Sequence, residues 1–270
     1  MDRFIFMRRH TLVNFLFAAS LVGITTQSFA ITNIEKERTA QSEDGWNGHI
    51  RLKLDGKKGN NEEAELGLGS HIRWNNQKFK WLNWYSRDYE RNNGILTNDE
   101  TFFHSRLIQN HQQVIATEYF IQYEEVPFSG LKRRALQGIG LRWRNWYKPQ
   151  TDQKHSSGES YQGLGIFNEQ VREVDLGHTQ VEQNYRANLY SHWLYQHSGE
   201  KAVSTSATLY IQPNIADTED VKALLQAQVS VPISMQLHLQ WKLQSTWDSR
   251  PPSEASDVTH ETTMQLKYSF

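Results

Sequence analysis

Cysteine is absent from all 270 residues. That excludes disulfides, thiolate metal sites and thiol nucleophiles, and it leaves no thiol for a lipid anchor after the amino-terminal apolar run. A charge of one sign is also lacking. The 29 Lys and Arg are matched by 30 Asp and Glu, a balance that argues against a nucleic-acid partner. Helical periodicity is missing too: past residue 30 no i, i+3, i+4 pattern is sustained. The eleven His show no ligand spacing such as H-E-x-x-H, so no metal is expected. Gly138, Gly140, Gly163 and Gly165 stand at i, i+2 on extended segments, and with no helix after them they make no phosphate loop. No cofactor is expected.

What is present begins with an export signal. Arg3, Arg8, Arg9 and His10 make a basic start, and Thr11 to Thr25 is apolar apart from small or polar interruptions. Ser28-Phe29-Ala30 is a small-x-small cleavage site. The apolar run falls short of the ~20 residues a spanning helix needs. The sequence therefore divides into a signal peptide at 1–30, a polar lead-in at 31–45 and one domain at 46–270.

From Trp46 the period is two. Trp46, Gly48, Ile50, Leu52 and Leu54 alternate with Asn47, His49, Arg51 and Lys53. Such alternation reads as a strand with one apolar and one polar face. Twelve segments can be read this way, the clearest near 220–231 and 235–247, the loosest at 101–110 and 160–169. An even number of strands, 32 aromatic residues and a mean hydropathy of −0.71 fit a membrane barrel with a polar interior and aromatic girdles. Met264, Leu266, Tyr268 and Phe270 share one face of the last segment. The expectation is an all-β fold: a closed antiparallel transmembrane β-barrel of about 12 strands, the last pairing with the first so that no edge is bare in lipid. Connections are expected to be tight at 75–77, 111–112 and 232–234, and long at 90–100, 125–131, 169–182 and 248–259, with a long exception at 145–159.

The chain resembles the YdiY-like family of salt-induced outer-membrane proteins, a domain family of unknown function. The resemblance rests on Gly45-Trp46-Asn47-Gly48, on Tyr123 to Gly130 (Y-E-E-V-P-F-S-G), on Gly138-Ile139-Gly140-Leu141-Arg142, on Asp248-Ser249-Arg250-Pro251-Pro252 and on Leu266 to Phe270. It implies an outer-membrane barrel of the Gram-negative envelope and supplies no catalytic residues. It also implies partners in outer-membrane lipid, lipopolysaccharide and the barrel-assembly machinery, with Phe270 and Tyr268 as the insertion signal. A monomer is expected.

The polar faces carry the candidate site. Arg51, Arg73, Arg106, Glu118, Arg134, Arg142, Arg186 and Lys242 are expected to point into the lumen. Basic rings there would favour anions, while long side chains of both signs would fill the interior. His155 and Ser157 are two apart, the spacing of a base beside a hydroxyl nucleophile, but Lys154, Ser156, Gly158 and Glu159 around them read as a polar turn. The leading reading is a non-enzymatic outer-membrane barrel, a narrow channel for small solutes or an envelope structural protein. An outer-membrane lipid hydrolase and a soluble periplasmic barrel with an apolar ligand stand as alternatives.

Overall fold

The computed structural model describes residues 44–268, except 60–61, 77, 112–113, 129–130, 150–155, 176–177, 198–202, 235 and 252–255. The signal peptide, nearly all of the lead-in, His155 and Phe270 lie outside the described residues. Twelve strands follow one another: β1 Gly45–Lys57, β2 Glu63–Asn75, β3 Phe79–Asn92, β4 Ile95–His111, β5 Ile115–Glu125, β6 Leu131–Lys148, β7 Ser157–Asp175, β8 His178–Gln196, β9 Ser204–Pro213, β10 Val221–Pro232, β11 Leu237–Asp248 and β12 Val258–Tyr268. They form one antiparallel sheet in which spatial order equals chain order.

Alternation decides the two faces. Residues directly opposite in an antiparallel ladder lie on the same face, so Leu66, Tyr89 and Asp99 share one side, and Gly67, Asp88 and Glu100 the other. The sheet curls with its polar face concave. Six consecutive strands, β4 to β9, contribute concave-face residues to a single cavity. The convex face is apolar and uncovered: Ile50 and Leu54 are each 73% exposed, and Leu66, Tyr119, Leu141, Leu164, Tyr185 and Trp241 are exposed beside them. Aromatic side chains gather toward both ends of this convex band. Trp46, Trp74 and Trp81 stand in one register row near the start of β1, and Tyr85, Phe103 and Tyr123 in another nearer the opposite end.

Three expectations need correction. First, the sheet is not closed. Among the described residues β12 pairs with β11 and β1 with β2, and no ladder joins β12 to β1. Alternation tells which face a residue takes. Closure depends on strand tilt and on the stagger summed over all strands, which no local pattern encodes. Second, most of the stretches at 90–100 and 169–182 is strand: 90–92 and 95–100, and 169–175 and 178–182. β3 and β4 continue to a two-residue turn at Asn93-Gly94, whose positive φ values of 50° and 78° suit a type I′ hairpin. β7 and β8 each run 19 residues. Both faces of these extensions carry mostly polar residues, with apolar ones such as Ile95, Val171 and Val181 scattered among them, so the period of two fades although the ladder continues. Third, of the long connection expected at 145–159, 145–148 belong to β6 and 157–159 to β7, leaving 149–156.

Candidate functional site

The concave face is polar yet deeply buried, and its centre is a chain of ion pairs. Register sets it up. Glu124 of β5 stands opposite Arg134 of β6, and Phe167 of β7 opposite Arg186 of β8. Glu169, two residues along β7 from Phe167, thus lies between two arginines. Arg134 Nε donates to Glu169 Oε1 at 2.7 Å and Arg186 Nε to Glu169 Oε2 at 2.6 Å. The other end of the Arg186 guanidinium donates to Asp220 Oδ1 and Oδ2 at 3.0 and 2.7 Å, and to the Gln212 carbonyl at 3.2 Å. Asn214 Nδ2 also donates to Asp220. Next to these, Lys222 of β10 lies 3.5 Å from Asp248 of β11.

Arg134, Glu169 and Arg186 are at most 2% exposed. A paired, hydrogen-bonded charge tolerates such burial, whereas a charge that loses its partner there does not. The network spans β6 to β11 toward the end of the sheet that carries the Asn93-Gly94 turn, so ionic side chains fill that part of the concave face.

A second layer lies deeper. Arg106 Nη1 donates to Glu118 Oε2 at 2.8 Å, and its guanidinium sits 4.7 Å from the Phe120 ring centroid. Arg106 Nε points to His104 Nε2 at 3.4 Å, which makes that nitrogen the acceptor. His104 Nδ1 is then the protonated nitrogen and donates to Gln122 Oε1 at 2.9 Å. Phe120 and Phe167 meet over Gly138, where a Cβ would fall 2.6 Å from both side chains. Between the two layers is a cavity of about 30 Å³, lined by His104, Arg106, Phe120, Gln122, Arg134, Leu136, Phe167, Asn188, Tyr210 and Gln212.

All eight charged candidates from the sequence fall on the concave face, but they do not form one site. Arg106 with Glu118, and Arg134 with Arg186, belong to the two layers just described. Arg142 is separate, stacked 3.6 Å from the centroid of Tyr161. Arg51 and Arg73 lie toward the β1 edge, where Arg73 Nη2 donates to Asn47 Oδ1 at 3.3 Å. Lys242 is on β11, opposite Gln228 and Thr263. The backbone of Tyr268 pairs opposite Leu237. Ser157 starts β7, and Lys148 Nζ donates to the neighbouring Ser156 hydroxyl at 2.8 Å.

Sequence reasoning missed Glu169, Asp220 and Lys222. Lys222 was within reach, because it alternates with Val221 and Ala223. Glu169 ends a loosely alternating stretch, and Asp220 precedes its strand, so neither had a periodic signal.

A family model described as "Protein of unknown function, DUF481" matches residues 50–270. No curated protein matches the chain. The solved structures that match it include two of low identity. The NanC porin is 10% identical with a TM-score of 0.42, over 82% of this chain and 100% of that one. The copper transporter OprC is 11% identical with a TM-score of 0.30, over 84% of this chain and 42% of that one.

Proposed function

The chain belongs to that DUF481 family of unknown function, and we propose that within it this protein is a non-enzymatic outer-membrane β-protein with a narrow, largely filled interior. One observation carries the reading: more than thirty large apolar side chains lie exposed, a continuous band of them on the convex face, while Arg134, Glu169 and Arg186 are buried on the concave face among a few apolar residues such as Leu82 and Leu224. Monomeric soluble proteins rarely expose large continuous apolar patches. In lipid the arrangement is the favourable one, and aromatic residues toward both ends of the band suit the two interfaces. A soluble barrel holding an apolar ligand would need the opposite facing. The reading assigns no catalytic residue. Its envelope role is structural, with passage limited to small solutes by the ionic layer from Arg134 to Asp220.

Membrane fractionation with a heat-modifiability gel tests it. The protein is expected in the outer membrane and should migrate faster unboiled than boiled. Facing is tested with cysteines on β11. A lipid-phase photoprobe should mark positions 239 and 241, on the convex face, and spare position 240. Equal labelling of the three would reject the reading. Lipid offers no hydrogen-bond partners to the free edges of β1 and β12, so the membrane reading also demands that these edges gain strand partners on insertion. Cysteines replacing His49 and Gln265 report which. A disulfide within the monomer makes the two edges each other's partners, and a cross-linked dimer makes the partner a second copy.

A further inference from the structure

Three buried polar atoms of the cavity lining have no protein partner: Arg134 Nη1, Gln122 Nε2 and Gln212 Oε1. Their residues are 1%, 6% and 7% exposed. Leaving a polar group unpaired at such depth is unfavourable, more so when it is charged, and most buried polar groups in native proteins have a partner. Three around one cavity call for an occupant.

The chemistry of the lining says which kind. It contains two arginines and no carboxylate. The acids that pair with those arginines, Glu118 and Glu169, approach from outside the lining. Glu124, opposite Arg134 across the β5–β6 ladder, is also outside it. Gln122 cannot turn its unpaired donor away, because its oxygen is held by His104 Nδ1. Gln212 is adaptable. Its Nε2 donates to Asn188 Oδ1 at 2.9 Å. If both amides rotate by half a turn, the bond survives with Asn188 as donor, and Gln212 presents an N–H to the cavity in place of its oxygen. The cavity then offers up to three donors, one of them on a guanidinium. Its volume of about 30 Å³ exceeds the roughly 10–15 Å³ that a single water needs, so a small ion has room.

We infer that this cavity is a binding site for one small monovalent anion, of halide or carboxylate-group size, held by Arg134, Gln122 and Gln212. The site rests on the reading of the concave face as the solute-accessible interior. It gives that interior a sign preference that the balanced charge of the whole chain does not.

The test uses the full mature chain folded in detergent micelles, with chloride-35 line broadening as the readout and unboiled gel mobility to verify folding. Wild type is expected to give saturable excess broadening that formate displaces. Arg134→Lys keeps a cation beside Glu169 but loses the second guanidinium donor. Gln122→Leu removes a neutral donor and changes no charge. Each should weaken chloride binding tenfold or more, while Gln228→Leu, on the same face but outside the lining, should bind as wild type. Broadening that never saturates, or that Arg134→Lys and Gln122→Leu leave unchanged, would overturn the site and leave a buried water as the occupant. Because binding is measured in micelles, its failure is separable from failure of the membrane assignment, which fractionation reads independently.

Discussion

Glu169 accepts from two arginines at once, one through each carboxylate oxygen. Glu169→Gln keeps the shape but leaves Arg134 and Arg186 buried against a neutral amide. Breaking a buried pair in this way costs about 3–5 kcal/mol, so the urea midpoint in micelles should fall sharply. The ion pair of Arg250 with Asp217, at 2.6 Å, has partners 55% and 37% exposed. Arg250→Ala should therefore change stability by no more than about 1 kcal/mol. A third residue-scale prediction concerns Gly163, where a Cβ would lie 2.0 Å from the Tyr190 ring. Gly163→Ala should cost about 1–3 kcal/mol through overpacking. In a double-mutant cycle with Tyr190→Ala the combined loss should be less than the sum, because the clash is gone once the ring is removed.

At the scale of elements, the sequence was legible wherever lipid-type and polar faces alternate. Val221 to Val231 and Leu237 to Leu243 read directly onto β10 and β11 because their alternate apolar residues sit on the convex face; Leu224, which breaks the alternation, is fully buried on the concave one. Legibility failed where pairing continues without an apolar face. The outer parts of β3, β4, β7 and β8 are mostly polar on both sides, with apolar residues too scattered to set a period, so they resemble loops in sequence although their backbones are laddered. The candidate site was half legible for the same reason. Periodicity places Arg134 and Arg186 on the polar face, but it cannot say that Glu169 bridges them, since that depends on register across three strands. The β3–β4 ribbon gives an element-scale prediction. Gly94 holds φ at +78°, which L side chains rarely adopt. Gly94→Val should loosen the ribbon locally. Amide exchange should speed up across 95–98, which pair with β3 alone, and stay slow at 81–85, where β3 is flanked by both β2 and β4.

For the whole molecule, a concave face filled by ion pairs predicts little current. In planar bilayers the wild-type protein should conduct far less than an open pore of similar strand number. Asp220 ties the β9–β10 connection to Arg186, and the same connection is held to the β11–β12 connection by Ser249 Oγ, which donates to the Glu219 carbonyl at 2.8 Å. Asp220→Ala removes the carboxylate from this tie. Conductance should rise in Asp220→Ala with the unboiled gel shift retained. Equal conductance in the two proteins would place the restriction elsewhere on the concave face.

The sheet order, in which each strand lies beside its neighbours in sequence, makes the molecule divisible. Every ladder belongs to one hairpin or joins one hairpin to the next, so no connection has to thread past another. Cutting the chain at the exposed tip between Asn93 and Gly94 severs one covalent bond and no strand pairing. The two pieces then meet along the whole β3–β4 ladder, from Phe79↔Gln109 to Asn92↔Ile95. A protein cleaved there by an inserted protease site should keep its unboiled mobility and separate into two fragments only on boiling. The two pieces, produced as separate polypeptides, should find each other again through that same ladder.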